Sequence, residues 1–230
     1  MCGRFTLRTP SHILLPQYSL NDELDFSPRY NIAPTQSVVA IRRSRASEER
    51  QLAMLRWGLV PFWAKDPSIG NPMINARAET VASKPSFRIP FRRRRCLILA
   101  DGYYEWQKTD RGNKQPYYIR MKEERPFTFA GLWESWGDQK GQQSGLSWET
   151  CTIITTYANQ LTRPIHDRMP VILDPSDHGL WLDPDILDVA RLEPLLTPFD
   201  SKEMAADPVS TRVNRPTMDD PRCIEITPGE

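Results

Sequence analysis

Apolar residues in this chain gather in short runs separated by charged or proline-bearing stretches, a pattern that predicts strands rather than long helices. Residues 37–42 (SVVAIR) and 52–60 (LAMLRWGLV) read as two strands, with the charged stretch 43–50 as their hairpin connection. Residues 96–100 (CLILA) are continuously apolar and predict a buried strand, entered from the arginine run 92–95. Residues 116–122 and 126–132 read as a further hairpin around the charged turn 122–125, and 147–156 (SWETCTIITT) as another strand. A late strand is expected over 208–214 (PVSTRVN). Helical signals are weaker. They comprise a short helix and loop within 9–28, a short helix or loop over 83–90, one turn at 157–162, and short acidic helices over 175–199. Residues 29–34 (RYNIAP) show no element-length periodicity and read as loop. With no internal repeat, low-complexity tract or linker, the expectation is a single domain over 1–230.

Composition supports a packed core, with 39% hydrophobic and 10% aromatic residues among 230. Twenty-one prolines against eleven glycines argue against a long-helix bundle. The net charge of +1 hides a polarity along the chain. From Arg77 to Arg95 seven Lys or Arg face one acid, Glu79, whereas from Asp174 onward thirteen acids face five Lys or Arg. One basic face can bind a polyanion despite near neutrality. Cysteines 2, 96, 151 and 223 have no metal-type spacing, and Cys96 and Cys151 sit in strand-like runs as buried thiols. Neither a signal peptide nor a membrane-span-length apolar run is apparent, so a reducing cytoplasm is the expected compartment.

The candidate chemistry starts at Cys2. Once Met1 is removed, Cys2 carries an α-amine (unperturbed near ~8) and a thiol (near ~8.5) on one skeleton. The amine condenses with an aldehyde to an imine, and the thiol closes on it as a five-membered thiazolidine. An internal cysteine lacks that amine. Further along, Trp57 and Trp63 flank a Gly/Pro turn and serve either as packing or as a platform for unstacked bases. Asn75, Arg77 and Glu79 crowd an amide, a guanidinium and a carboxylate into five positions. Glu105 follows a Gly turn among aromatics, where desolvation raises a carboxyl pKa, although pairing with a nearby arginine is the plainer alternative. His166 lies in a loop bracketed by Pro164 and Pro170, a setting for a general acid or base that His12 and His178 do not share.

Seven segments carry a resemblance. They are MCGRF (1–5), RYNIAPTQ (29–36), RWGLVPFWA (56–64), INARAET (74–80), RRCLILADGYYEW (94–106), PIHDRMPVIL (164–173) and PVSTRVN (208–214). In this order they resemble the SOS response-associated peptidase family, the abasic-site-processing proteins that cap single-stranded DNA. The resemblance implies an α+β fold, with a twisted, barrel-like, mainly antiparallel β-sheet and short peripheral helices. It implies that Cys2 is the nucleophile, exposed on removal of Met1 with self-processing as one route, and that it crosslinks the ring-opened aldehyde of an abasic site as a thiazolidine. Asn75 then holds the Cys2 backbone and the sugar, Glu105 shuttles protons, and His166 assists ring opening and reversal. Arg4, Trp57, Trp63 and Arg77 resemble phosphate and base contacts, with Lys84 or Arg88 as a further basic contact. A weak Schiff-base lyase activity comes with the family. The implied partner is single-stranded DNA with abasic sites. No cofactor, metal or membrane is expected, and the protein is expected to be a monomer, cytoplasmic and at the nucleoid when DNA-bound. The chain ends soon after the last motif, without the long extension of vertebrate relatives, which points to a microbial source.

Three alternatives predict different behaviour. An N-terminal-nucleophile amidotransferase also begins Met-Cys-Gly, but needs an oxyanion hole and turns over glutamine. A non-covalent DNA binder keeps its affinity without Cys2. A protease acting on other proteins needs a peptide-recognition surface that no motif here suggests.

Overall fold

The computed structural model describes residues 2–20, 26–44, 47–110, 112–137 and 147–228. In chain order the strands begin with β1 (Phe5–Leu7), β2 (Arg29–Ile32), β3 (Ser37–Ser44), β4 (Ser47–Trp57) and β5 (Asn75–Arg77). There follow β6 (Arg95–Ala100), β7 (Gly102–Lys108), β8 (Lys114–Met121) and β9 (Phe127–Gly137). The last are β10 (Ser147–Tyr157), β11 (Arg168–Pro170), β12 (Ile172–Leu173) and β13 (Met204–Pro208). Short helices α1 (Ser11–Leu14), α2 (Ala78–Val81), α3 (Arg88–Arg93), α4 (His178–Leu182) and α5 (Val189–Leu192) lie between them.

Five strands close on themselves in the order β10-β4-β3-β6-β9, with β9 pairing back to β10. Within this ring of five strands, only the β10–β4 contact is parallel. Closure removes the open edges a flat sheet would expose. The interior is built by period-two alternation: on β4, Ala53, Leu55 and Trp57 are buried, while Met54 is 47% exposed. β6 is buried on both faces because α3 and α4 cover its outside, where the Trp181 indole N–H donates to the Cys96 carbonyl at 2.9 Å. The arginine run before β6 splits by role. Arg92 and Arg93 are exposed, Arg94 pairs with Glu134 at 2.6 Å, and buried Arg95 donates to the Trp181 carbonyl at the end of α4. A second sheet, ordered β13-β8-β7-β1-β2, packs its apolar face into the same core through Phe5, Leu7 and Tyr103. The expected class, α+β with a barrel-like and mainly antiparallel sheet, is the architecture the chain adopts.

The hairpin of β3 and β4 forms as expected, although its strands extend into the charged stretch; residues 45–46 of that stretch lie outside the described residues. Three expectations are corrected. Residues 29–32 form a strand, because Asp219 accepts the Tyr30 and Asn31 backbone N–H groups at 2.5 and 2.8 Å and pins the segment beside β1. Strands β8 and β9 do not pair as a hairpin: β8 lies between β7 and β13, whereas β9 belongs to the barrel. The late strand is β13, which ends at Pro208. Residues 211–214 form a 3-10 turn instead, entered where the Ser210 hydroxyl accepts the Arg212 N–H at 3.2 Å. Among the described residues, no helix is long and apolar enough to cross a membrane, and no cluster of His, Cys, Asp and Glu could hold a metal ion.

Candidate active site

The site forms where the first residues of the chain run along the second sheet. β1 pairs antiparallel with β7, Phe5 opposite Tyr103 and Thr6 opposite Gly102. Close approach at this point requires Gly102, since a Cβ there would lie 2.4 Å from the Tyr118 ring. The Tyr104 N–H donates to the Arg4 carbonyl at 3.0 Å. Continuing this register along β7 sets Gly3 opposite Glu105 and brings Cys2 beside the carboxylate. From the barrel, Asn75 opens β5, which follows β4 along one edge of β10. Its side-chain N–H donates to the Cys2 carbonyl at 2.8 Å. Asn75 Oδ1 is buried and has no hydrogen-bond partner among the described residues.

His166 arrives on the connection from β10 to β11. Asn159 organises that connection, its Oδ1 accepting the N–H groups of Leu161 (3.1 Å) and Thr162 (3.0 Å). The His166 N–H closes the turn onto the Thr162 carbonyl at 2.9 Å. Nδ1 of His166 accepts the Arg168 N–H at 3.0 Å, which in the neutral ring leaves the proton on Nε2. Asp167 Oδ1 is also 3.0 Å from Nδ1, but that side chain is 87% exposed and the contact is attractive only when the ring is charged. The backbone bond therefore fixes the ring. Gln107, two residues past Glu105 and hence on the same face of β7, donates to the Pro164 carbonyl at 3.0 Å and ties the strand to this loop.

Electrostatics separates the three groups. Glu105 is 3% exposed, and burial raises its pKa to about 7, with the charge of Asp167 adding to the rise and the amino-terminal charge opposing it. The Cys2 thiol is pushed far above its ordinary value, first by burial and then by Glu105. His166 is lowered, first by burial and then by the positive charge of the chain's amino terminus. Beside them opens a cleft of about 870 Å³, lined by Arg77, Thr80, Tyr157, Arg163, His166 and Arg168 among others. Arg168 bridges its walls: it donates to both oxygens of Glu79 at 2.8 and 3.0 Å and to the Thr155 carbonyl at 2.6 Å.

The sequence and the fold match known proteins along nearly the whole chain. The family described as SOS response associated peptidase (SRAP) matches residues 1–216. The chain belongs to the SRAP family. The Bacillus subtilis "Abasic site processing protein YoqW" is 44% identical over 228 residues, covering 98% of this chain and 99% of that one. The Xenopus tropicalis "Abasic site processing protein HMCES" is 31% identical, covering 91% of this chain and 69% of that one. A crystal structure of a Bacteroides thetaiotaomicron protein superposes with a TM-score of 0.86 at 31% identity, covering 98% of this chain and all of that one.

In this SRAP chain the structure gathers Cys2, Asn75, Glu105 and His166 around one end of β7, and Arg77 stands exposed in the adjoining cleft. Trp57 is a correction. It is fully buried, its edge is set against Phe5 at 5.2 Å, and its indole N–H is spent on the Ile74 carbonyl at 2.9 Å, so no face is open to a base. Trp63 is 49% exposed and Phe62 41%, beyond the turn at Gly58, whose φ of +131° and 2.7 Å approach to the Gly70 carbonyl exclude a side chain. The Arg4 guanidinium is half-buried and donates to Asn31 Oδ1 (2.8 Å) and to the Val213 carbonyl (2.6 Å), clasping the C-terminal segment. Lys84, on the turn after α2, and Arg88, at the start of α3, are exposed and do not line the cleft. Sequence reasoning missed Gln107, Arg168 and buried Asn31. Each bonds partners far away in the chain, and no local pattern signals such a bond.

Proposed function

We propose that this protein binds abasic sites in single-stranded DNA and captures them covalently through Cys2 after Met1 is removed. The observation that carries this reading is the grip of Asn75, two residues before cleft-lining Arg77, on the Cys2 carbonyl, with a carboxyl of pKa about 7 whose charge bears on the Cys2 thiol. The names of the relatives point to the same lesion. In the reaction the Cys2 amine nitrogen adds to the sugar aldehyde carbon and water leaves, giving an imine. The Sγ–H then adds across the C=N bond, the carbon–sulfur bond forms, and the proton ends on nitrogen.

A buried thiol with a raised pKa is a poor thiolate, so the addition needs a local base, and Glu105, near half-ionised at neutral pH, suits that role. Asn75 Oδ1 stands ready to accept from the freed amine or a sugar hydroxyl. His166, with Nε2–H toward the cleft chemistry, serves ring opening and reversal. Elimination from the imine accounts for a weak lyase activity, and self-removal of Met1 for the peptidase description. Exposed Arg77 supplies sequence-independent phosphate attraction and Trp63 a stacking face.

The test mixes protein of verified Met-free N-terminus with single-stranded DNA carrying one abasic site and resolves the products on a denaturing gel. A heat-stable shifted band is expected with wild type and absent with Cys2→Ala. With Asn75→Ala the band should form at least several-fold more slowly. A wild-type lane without the band would sink the covalent reading and leave non-covalent DNA binding.

A further inference from the structure

Tyr157 plays no part in the reaction outlined above, yet it is one of the most exposed large aromatic residues among those described, at 63%. It ends β10, directly before the turn that delivers His166. It lines both the cleft beside His166 and a hollow of about 380 Å³ shared with Leu196, Thr197 and Pro198. It therefore forms the ridge between them. The ring is not loose. The Arg168 guanidinium lies 5.1 Å from its centroid, and that guanidinium is itself fixed by both oxygens of Glu79 and by the Thr155 carbonyl. The cleft volume falls within the roughly 300–1,000 Å³ typical of ligand sites, and exposed Arg77 and Arg163 line it with positive charge.

We infer that Tyr157 is a stacking platform for a base flanking the lesion, keeping that nucleotide splayed out of the strand's own stack while the damaged sugar reaches Cys2. Resting on the abasic-DNA reading, this assigns the Tyr157 wall of the cleft to an intact neighbouring nucleotide, while the damaged sugar stays at His166 and Cys2. Stacking on an aromatic ring tolerates any base, since every base has a π-face, and so the platform confers affinity without sequence choice. The braced ring loses little rotamer freedom on binding, which favours the contact.

The test uses two fluorescent single-stranded probes read by anisotropy. The first carries one tetrahydrofuran abasic analogue, which has no aldehyde and cannot crosslink, flanked by normal bases. The second has tetrahydrofuran residues at the flanking positions as well. Tyr157→Ala should weaken the base-flanked probe by about 5- to 100-fold, and Tyr157→Phe should bind within about two-fold of wild type. On the probe without flanking bases, wild type and Tyr157→Ala should be alike. Equal losses on both probes would show that Tyr157 acts only by bracing Arg168, and no loss on either would show that it contacts nothing; both overturn the platform. Wild type failing to bind the base-flanked probe at all would overturn the abasic-DNA reading, and the platform with it, whereas normal wild-type binding with an unaffected Tyr157→Ala overturns the platform alone.

Discussion

Glu105 and Glu134 are equally buried, each 3% exposed, yet the positive charge that opposes the effect of burial differs between them: the amino terminus for Glu105, a structural arginine for Glu134. Glu134 lies on β9 with the Arg94 guanidinium 2.6 Å away and the Ser135 N–H at 3.0 Å. Burial raises its pKa, and the arginine works against the rise. Glu105 lies on β7 near the amino terminus and the acidic Asp167, and burial carries its pKa to about 7 although the terminal charge opposes the rise. Burial alone therefore does not mark a working carboxyl. What marks Glu105 is burial beside the reactive terminus, whose charge and thiol it meets directly.

The largest expected effect tests that contrast directly. Glu105→Gln should slow crosslinking by about 10²- to 10⁴-fold, the usual contribution of a general acid or base, and should remove an inflection near pH 7 from the rate profile. Glu134→Gln should leave the rate within about two-fold of wild type while lowering stability by about 1–2 kcal/mol. Its partner Arg94 is 24% exposed, so water replaces part of what is lost. Equal rate losses in the two variants would erase the distinction between them.

Stability against pH sharpens the comparison further. An unfolded Glu titrates near ~4.3, whereas folded Glu105 titrates at about 7, so between those values the folded state holds more protons than the unfolded one. Stability from this group is thus full below about pH 4 and is lost as pH rises through 7, amounting to about 4 kcal/mol. Glu105→Gln should therefore be more stable than wild type at pH 8 and show a flatter melting-temperature curve between pH 5 and 7. A lower melting temperature for the variant at pH 8 would contradict the raised pKa. Buried His178, in contact with the Thr128 hydroxyl at 3.0 Å and lowered to about 4 by burial, titrates in the other sense. Its contribution is lost as pH falls from about 6.5 toward 4, so His178→Gln should flatten only the acid side of the curve.

The smallest expected effect concerns Gln107. Removing its bond to the Pro164 carbonyl in Gln107→Ala should slow crosslinking only a few-fold, about 1 kcal/mol of positioning, with DNA affinity unchanged. A loss of affinity instead would place Gln107 on the DNA path rather than in support of His166.

Much of this was legible from residues alone, but unevenly. The β3–β4 hairpin is local, two apolar runs joined by a short charged stretch, and its pairing follows from proximity in the chain. The same logic fails at β8 and β9. Each run is strand-like, yet the chain leaves one sheet for the other at residues 122–126, and a period-two pattern names no partner. Trp57 and Trp63 illustrate the same limit within one motif. Six residues apart across a glycine turn, one is sealed in the barrel and the other faces outward. The resemblance carried by seven motifs did name the family, because motif order survives without knowledge of pairing.

What the sequence determined by itself was the inventory: a cysteine at position 2, strand-length apolar runs, a basic middle and an acidic end, and the isolated candidates Asn75, Glu105 and His166. Only the tertiary structure decided which of these meet. Register between β1 and β7 places Glu105 by the terminus, the parallel pairing of β5 with β10 brings Asn75 to the Cys2 carbonyl, and Gln107 holds the His166 loop against β7. The physical reason is that residue types set which groups could react, while their pKa values depend on desolvation and on neighbouring charges, and both arise from contacts between residues far apart in the chain.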